Sequence, residues 1–197
     1  MTPPLSPGFP DPRIDEVLLL EHQIADAVTR LGQAIARDYA GRDLALVTIL
    51  KGGVVFVADL CRAIDIPLTL DFMSISAYRP NVPGVVRIMK DLDDEIGGRD
   101  VLVVEDIIDT GLSLGYLLRV LKERRPASLS VCTLMDKDVR RIVDLPIEYR
   151  GFSVPDRFLV GYGLDLNGLW RNLPYVATLQ EHVWKGTSGD DRAGPLR

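Results

Sequence analysis

The sequence predicts an α/β fold in which a mostly parallel β-sheet is flanked by helices on both faces. Short apolar runs alternate along the chain with segments whose apolar residues recur at helical spacing, which is typical of strands alternating with helices. Two of these runs, residues 44–50 and 101–104, are apolar almost throughout, as expected for strands that are covered on both faces. Ligands of such sheets bind outside the carboxyl ends of the strands, so the loops after Leu50, Val104 and Met135 are the expected places for a site.

The individual elements follow from the same patterns. Residues 17–20 predict a short strand, residues 54–64 predict a helix, and the glycines of Lys51-Gly52-Gly53 separate that helix from the strand before it. The remaining predictions are, in chain order, a helix carrying Ile24, Val28, Leu31 and Ile35, strands at 68–76 and 85–89, a helix carrying Leu114, Leu117 and Leu121, and strands at 128–135, 147–152 and 158–162.

The two ends of the chain differ from its middle. Residues 1–13 contain five prolines, which can neither continue a helix nor donate to a strand ladder, so we expect a flexible leader. Residues 185–197 are polar and rich in glycine and predict a disordered tail. A chain of 197 residues suits one domain, which we place at 14–184 because no linker interrupts that range.

Composition excludes several classes of protein. The 23 Lys and Arg residues against 28 Asp and Glu residues give a formal net charge of −5, which disfavours a general nucleic-acid binder. No run approaches 18 apolar residues and the first residues do not resemble a signal peptide, so no membrane partner is expected. Cys61 and Cys132 each lie alone in apolar sequence and predict reduced, buried thiols in a cytoplasmic protein. With only two histidines beside them, a Cys/His metal cage is excluded.

Residues 101–113, VLVVEDIIDTGLS, carry the strongest functional signal. The apolar strand runs into Glu105 and Asp106, and after two isoleucines Asp109 opens a loop that leads into a helix. Backbone N–H groups at a helix start and the helix dipole attract anions, and Gly111 lets a phosphate approach the backbone closely. Two adjacent carboxylates suit the hydroxyls of a sugar or a hard cation beside it. The segment therefore predicts a site for a sugar phosphate.

Two side-chain hydroxyls in the same loop, those of Thr110 and Ser113, can add hydrogen bonds to the phosphate. The loop is not a Walker A motif, because GxxxxGK[ST] is absent. A purely structural alternative is that Asp109 only caps the helix and that the two acids before it are solvated. Capping alone does not explain two adjacent acids directly after a four-residue apolar strand.

The segment resembles the phosphoribosyl-diphosphate (PRPP) binding motif of type I phosphoribosyltransferases, and its Glu-Asp-Ile-Ile-Asp-Thr-Gly order is similar to the 6-oxopurine branch of that family. The likeness extends over about residues 15–180. Its other matching segments are LKGG at 50–53, DFMSISAY at 71–78, KDLD at 90–93, LMDK at 134–137 and PDRFLVGYGLDLNGLWRNLPY at 155–175. The resemblance implies the type I phosphoribosyltransferase fold, with a small hood formed by the chain ends.

The resemblance also implies where PRPP is bound. Glu105 and Asp106 are expected to bind the ribose hydroxyls and Mg2+, and Asp109 to act as the general acid or base near purine N7. The 5′-phosphate is expected on the backbone amides and hydroxyls of the loop, which comprises Asp109, Thr110, Gly111, Leu112 and Ser113.

Pyrophosphate is expected on two further segments. Lys51 and Gly52 match a pyrophosphate loop, where the family often has a cis peptide between the positions of Leu50 and Lys51. Arg171 matches an arginine that binds pyrophosphate. Asp165 matches an acid of the purine pocket that helps to hold a second Mg2+ through water. An ordinary strand-to-helix turn remains the alternative for the glycine-rich loop.

The resemblance assigns the base to three residues. Lys137 matches the lysine that donates to the purine 6-oxo group, and because an ammonium only donates, it favours hypoxanthine and guanine over adenine. Phe158 matches the aromatic residue that stacks on the base, and Leu159 presents a backbone carbonyl to the base edge. The alternatives are a surface lysine and a core phenylalanine.

The flap of the family departs from its usual sequence here. Tyr78 matches the usual tyrosine, but Ala77 stands where a serine is common, and Pro80 and Pro83 stiffen the segment. This departure bears on closure of the flap over the reaction rather than on the class of reaction.

The function implied is purine salvage: transfer of 5-phosphoribosyl from PRPP to N9 of hypoxanthine, and of guanine as well, which gives IMP or GMP and pyrophosphate. Mg2+ is the implied cofactor, and a homodimer or homotetramer is the implied assembly. The alternatives are a xanthine-preferring phosphoribosyltransferase and a PRPP-sensing, nucleic-acid-binding regulator on the same fold. The acidic composition and the presence of the catalytic and substrate-binding residues disfavour the regulator.

Overall fold

The computed structural model of the protein describes residues 11–77 and 86–185. The strands are β1 (Ile14–Leu19), β2 (Leu44–Leu50), β3 (Leu68–Ala77), β4 (Val86–Lys90), β5 (Asp100–Ile108), β6 (Ser128–Asp136), β7 (Ile147–Ser153), β8 (Leu159–Val160) and β9 (Val176–Leu179). The helices are α1 (Glu21–Asp38), α2 (Val54–Ala63), α3 (Leu112–Glu123) and α4 (Glu181–Lys185), with a 3-10 turn at Asp138–Arg140.

A six-stranded sheet forms the centre of the molecule, in the order β4-β3-β2-β5-β6-β7. Strands β3, β2, β5, β6 and β7 pair in parallel, and the edge strand β4 runs antiparallel to β3. The predicted mostly parallel sheet is therefore confirmed. Its topology brings the carboxyl ends of β2, β5 and β6 to one edge, so the loops that begin at residues 51, 109 and 137 meet there.

Helices cover both faces of this sheet. Leu44 and Leu46 of β2 pack in a core with residues of α1 and α2, whereas Ala45 and Val47 pack in a core with residues of α3. Successive side chains of a strand point to opposite faces, which explains why the run 44–50 has to be apolar at every position. The buried stripe of α1 has the predicted helical spacing and includes Ile24, Val28, Leu31 and Ile35.

A second sheet is built from the two ends of the folded chain, in the antiparallel order β1-β9-β8. Its core includes Val160, Trp170 and Leu173. This sheet is the hood that the family resemblance implied, and it confirms that expectation. Residues 1–10 lie outside the described residues, but Asp11 belongs to the hood because its carboxylate accepts a hydrogen bond of 2.9 Å from the indole of Trp170.

Several predicted boundaries were wrong. Strand β5 was predicted to stop at Val104, but it continues to Ile108 because its pairing with β6 continues to that point. Glu105 and Asp106 interrupt its apolar pattern, while Ile107 and Ile108 beyond them still pack in the cores on the two faces of the sheet. Strand β9 and helix α4 were not predicted, and β8 is only two residues long.

The two thiols differ in burial. Cys132 is fully buried, and burial raises its pKa, as expected for an inert core thiol. Cys61 is only partly buried, which corrects the prediction for that residue. Within 11–77 and 86–185, no helix is long and apolar enough to cross a membrane.

Candidate active site

The carboxyl end of β5 leads into the predicted phosphate loop, Asp109-Thr110-Gly111, which joins it to α3. Gly111 has a φ of 79°, in the left-handed region that favours glycine. The first hydrogen bond of the helix runs from the Gly115 N–H to the Gly111 carbonyl at 2.7 Å. The amides of residues 112–114 therefore precede the intrahelical ladder, as in other helix termini that bind anions.

The segment after the 3-10 turn supports this loop. The Ile142 N–H donates to the Thr110 carbonyl at 3.0 Å, and Leu145 lies directly against Gly111. A Cβ at Gly111 would lie 2.9 Å from Leu145 Cδ1. The left-handed φ thus favours glycine, and any larger residue would also make the Leu145 side chain shift.

The acidic pair lies within β5 rather than after it. Asp106 is only 7% exposed, and its Oδ1 accepts a hydrogen bond of 2.8 Å from the Ile107 N–H. Burial raises the pKa of Asp106 to about 6 against the opposing effect of that hydrogen bond. Burial and the neighbouring Asp106 charge raise the pKa of Glu105 well above its ordinary range. Two carboxylates held in this way favour binding of a cation or of hydroxyl donors.

The loop after β2 lies against this acidic pair. The peptide between Leu50 and Lys51 is cis, as the resemblance implied. A Cβ at Gly52 would overlap Oδ2 of Asp106, so the backbone of the loop touches the carboxylate where any other residue would displace it. This contact joins the predicted pyrophosphate loop to the predicted ribose site.

The segment after β8 completes this side of the site. A Cβ at Gly163 would overlap the carbonyl oxygen of Gly52, so the two loops also touch. Arg171 donates to the Gly163 carbonyl at 2.5 Å and pairs with Asp165 at 2.5 Å between Nη2 and Oδ1. The charges of Arg171 and Asp165 both act on the pKa of Asp106, the first lowering it and the second raising it. The predicted residues of this side are therefore brought together.

The opposite side of the β5 terminus carries the predicted base-binding lysine. Lys137 is 7% exposed, and its N–H donates to the Ile108 carbonyl at 2.9 Å. Burial lowers the pKa of the Lys137 ammonium, while the carboxylates of Asp109 and Asp156 oppose that effect. Lys137 is therefore not the surface lysine of the alternative interpretation, since its ammonium lies 3.8 Å from Asp156 in a partly desolvated position.

Two residues of this side were missed by sequence reasoning. The guanidinium of Arg140 lies 3.0 Å from Asp109 and 3.1 Å from Asp156, and it bridges the two carboxylates. Arg140 follows the matching segment 134–137, and Asp156 lies within the matching segment 155–175. No local sequence pattern distinguishes either residue from a charged residue exposed to solvent. Only the return of the chain after β7 places Asp156 beside Lys137.

Phe158 and Leu159 lie where the hood meets this side. Leu159 is buried in β8 and pairs with Thr178 of β9. The ring of Phe158 is partly buried and stacks on Trp184 of α4, with ring centroids 5.8 Å apart. Sequence reasoning did not include Trp184, because helix α4 was not predicted; only its last residue, Lys185, lies in the predicted tail.

The predicted flap is only partly described. Ala77 is the last residue of β3, and Tyr78 lies outside the described residues.

The last residue of the predicted phosphate loop, Ser113, is the second residue of α3 and is partly buried in the first turn of that helix.

The predicted metal ligands do not form a metal cage made by protein alone. Among residues 11–77 and 86–185, no group of three or more His, Cys, Asp or Glu side chains is arranged to hold a metal ion. Mg2+ is commonly held by one or two carboxylates together with substrate phosphates and water. The paired acids Glu105 and Asp106, whose pKa values are both raised by burial, fit that mode of binding.

Comparisons with known proteins agree with this geometry. A family model described as phosphoribosyl transferase domain matches residues 17–167. A hypoxanthine-guanine phosphoribosyltransferase from Mycobacterium avium is 47% identical over 180 residues, which cover 87% of this chain and 89% of the relative. A hypoxanthine phosphoribosyltransferase from Escherichia coli is 45% identical over 165 residues, which cover 82% and 93% of the two chains.

A solved structure gives the same result. The crystal structure of a hypoxanthine phosphoribosyltransferase from Staphylococcus aureus superposes with a TM-score of 0.85 and 43% sequence identity, and the match covers 88% of this chain and 95% of that chain. The phosphate loop, the cis peptide and the hood are thus found on a chain whose sequence and architecture both match known members. This chain belongs to the type I phosphoribosyltransferase family.

Proposed function

We propose that this enzyme transfers the 5-phosphoribosyl group of PRPP to N9 of hypoxanthine, and of guanine as well, and releases pyrophosphate. The products are IMP and GMP, so the reaction recovers free purine bases. The relatives that carry these activities in their names support the substrate class.

One structural observation carries the proposal. Near the carboxyl end of β5, Asp106 lies against Gly52. Asp109, which directly follows the strand, lies beside Arg140. A single strand end therefore contacts both the predicted pyrophosphate side and the predicted purine side. A reaction that exchanges pyrophosphate for a purine at one sugar carbon needs that arrangement, because the leaving group and the nucleophile approach the same atom.

On the pyrophosphate side, positive charge is required as the bond to the sugar breaks. In the proposal, Lys51 and Arg171 neutralise the negative charge that develops on pyrophosphate, and the amides of residues 109–113 hold the 5′-phosphate. Glu105 and Asp106 orient the ribose hydroxyls. The contacts of Gly52 with Asp106 and of Arg171 with the Gly163 carbonyl support this arrangement.

Mg2+ is the proposed cofactor, held by Glu105 and Asp106 and, through water, by Asp165. Bound there, it would supply charge neutralisation for the pyrophosphate oxygens. The support for this assignment is the fit of two adjacent acids to a hard cation.

On the purine side, the proposed roles follow from donor and acceptor chemistry. Lys137 donates to the 6-oxo group, Phe158 stacks on the base, and the Leu159 carbonyl accepts from the base edge. Asp109 acts as the general acid or base for the proton at purine N7. Adenine is disfavoured, because its 6-amino group would face the Lys137 ammonium as a second donor.

The remaining features of the proposal concern the whole chain. We place the catalytic domain at residues 14–184 and propose a homodimer or homotetramer in the cytoplasm. The free thiols of Cys61 and Cys132 support a reducing compartment. Tyr78 and Ala77 belong to the proposed flap.

The decisive experiment incubates the protein with PRPP, Mg2+ and, separately, hypoxanthine, guanine, xanthine and adenine, and identifies products by mass. We expect IMP and GMP, with little product from adenine. XMP as the main product would replace this proposal with the xanthine-preferring alternative. No product from any base would remove the enzyme assignment. Neither the xanthine enzyme nor the nucleic-acid-binding regulator is supported by the relatives described above.

A further inference from the structure

Trp184 is an aromatic residue beside the purine side that the proposed reaction does not use. We propose that Trp184 is a positioning residue: it holds the Phe158 ring so that the purine stacks on the opposite face of that ring. The inference rests on the proposed function, because it requires Phe158 to be the residue that stacks on the base.

The geometry of the two rings supports this role. Their centroids are 5.8 Å apart and their planes differ by 18°, which is an offset-stacked arrangement. Both rings, together with Val183, pack against the core of the hood. Trp184 therefore covers one face of the Phe158 ring, and both rings are held by the hood.

The chain connects the Phe158 ring closely to the proposed purine site. Phe158 follows Asp156 by two residues, and the carboxylate of Asp156 lies 3.8 Å from the Lys137 ammonium. The short segment 156–159 thus runs from the base-binding lysine to the hood. Because the indole of Trp184 occupies one face of the Phe158 ring, a base that stacks on Phe158 with the indole in place must use the other face.

Helix α4 is anchored, so Trp184 has a defined place. The Gln180 N–H just before the helix donates to the Arg13 carbonyl at 2.9 Å, which ties α4 to the strand at the other end of the chain. Within the helix, Lys185 pairs with Glu181 at 2.7 Å, and its ammonium lies 5.6 Å from the centroid of the Trp184 ring. The indole is therefore held from both the helix and the hood.

Loss of the contact between Trp184 and Phe158 is expected to weaken binding of the purine base more than binding of PRPP. Without Trp184, Phe158 can adopt other rotamers, and part of the binding energy of the base is needed to select the stacking one. PRPP, which binds at the loops of β2 and β5, does not depend on this ring. The expected effect is an increase of about 3- to 10-fold in the KM for hypoxanthine, which is the range that one aromatic pair contributes.

The test compares three variants of the full chain with the wild type: Trp184→Ala, Trp184→Leu and Trp184→Phe. The matched control is His182→Ala, an exposed position on the same helix. The measurements are kcat, the KM for hypoxanthine, the KM for PRPP, the melting temperature, and the affinity for IMP by titration calorimetry.

We expect Trp184→Ala and Trp184→Leu to raise the KM for hypoxanthine and to weaken IMP binding, with the KM for PRPP within about twofold of the wild type. Trp184→Phe, which retains a ring, and His182→Ala should behave like the wild type. If Trp184→Ala fails to fold, Trp184→Leu against Trp184→Phe gives the same comparison.

Three results would overturn the inference while leaving the proposed function intact. The first is an unchanged KM for hypoxanthine in an active, folded Trp184→Leu protein. The second is an equal rise in both KM values, which indicates a general structural role. The third is a lower KM for hypoxanthine, which means that the indole competes with the base. An inactive wild type would instead refute the proposed function itself.

Discussion

At the scale of single residues, Asp109 joins the proposed phosphate loop to the proposed purine side. Its backbone begins that loop, while its carboxylate lies 3.0 Å from Arg140. Removal of the charge should therefore affect the chemical step without removing the backbone amides proposed to hold PRPP. The two functions of this residue can be separated by one isosteric substitution.

Asp109→Asn is expected to lower kcat by about 100-fold or more, which is the usual contribution of a positioned acid or base. The KM for PRPP should stay within about twofold, because the backbone donors are unchanged. Steady-state assays with hypoxanthine measure both constants. Asp138→Asn, an acid whose carboxylate accepts from Ser153, is the control and should retain full activity. Equal activity in Asp109→Asn would remove the residue from the mechanism.

The buried carboxylate of Asp106 predicts a pH-dependent stability. Its pKa is raised, chiefly by burial, from the ordinary value of 3.8 to about 6. Between these values the folded protein keeps a proton that the unfolded chain has released, so the free energy of unfolding falls as pH rises through this window. Asp106→Asn should abolish this loss and stabilise the protein at pH 7 by roughly 2–3 kcal/mol, at 1.36 kcal/mol for each pKa unit. Urea unfolding at pH 4 and at pH 7 measures the difference.

The control for this prediction is Asp71, a carboxylate whose pKa is lowered rather than raised in the folded protein. Burial alone would raise the pKa of Asp71, but hydrogen bonds from the backbone of Phe72, Asp93 and Asp94 and the charge of Lys90 lower it overall. Its contribution is present above the ordinary carboxyl pKa and is lost as the pH falls. Asp71→Asn should therefore destabilise the protein at pH 7. An equal offset of Asp106→Asn at pH 4 and pH 7 would contradict the linkage.

At the scale of elements, the junction of β5 and α3 sets the geometry of the phosphate loop. The turn needs a residue with positive φ at position 111, and a Cβ there would lie 2.9 Å from Leu145 Cδ1, so the leucine side chain would have to shift. Gly98 allows the effect of φ to be separated from the effect of packing. Its φ is 75°, but nothing lies within 4 Å of the position that a Cβ would occupy.

Gly98→Ala is expected to cost about 1–2 kcal/mol, which is the cost of the left-handed conformation alone, and to leave activity unchanged. Gly111→Ala should cost more, because the neighbouring leucine must also move, and it should raise the KM for PRPP at least several-fold. Unfolding free energies and PRPP kinetics of the two variants make the comparison. The interpretation fails if both variants lose PRPP affinity to the same degree.

At the scale of the whole molecule, the hood closes the fold by joining its two ends. Strand β1 pairs with β9, and the indole of Trp170 donates to Asp11 while the Arg13 guanidinium lies 4.5 Å from the centroid of its ring. The hood also carries β8 and the adjacent Phe158, and Leu159 and Phe158 are the proposed contacts of the base. We therefore expect stability of the hood and binding of the base to be coupled.

Trp170→Ala is expected to destabilise the protein by about 3–5 kcal/mol, because Trp170 is a large side chain buried to 6% exposure in the core of the hood. The KM for hypoxanthine should rise more than the KM for PRPP, whose site lies on the central sheet. Calorimetric melting and steady-state kinetics at 15 °C, below the transition, test this. Trp170→Phe should restore most of the stability, and a greater effect on PRPP than on hypoxanthine would refute the coupling.

Much of the architecture could be predicted because it depends on patterns of residues that are close together in sequence. The continuous apolar run of 44–50, the helical stripe of α1 and the glycine after β5 each depend on neighbours within a few residues. The hood strands β8 and β9 were short or missed because 2–4 residues carry too little periodicity to be recognised. The true end of β5 was missed because two acids, Glu105 and Asp106, interrupt its apolar pattern before its pairing with β6 ends.

Residue types and their spacing along the chain are enough to predict the class of fold, the loop after β5 and the chemistry of the carboxylates that follow its apolar run. Three sets of contacts emerge only when the elements pack together: Gly52 touches Asp106, Arg140 bridges Asp109 and Asp156, and Trp184 stacks on Phe158. Most of these contacts join elements far apart in sequence, and they arise from the order of the strands and the closure of the hood. No spacing along the chain encodes them, because the packing of whole elements sets which side chains meet.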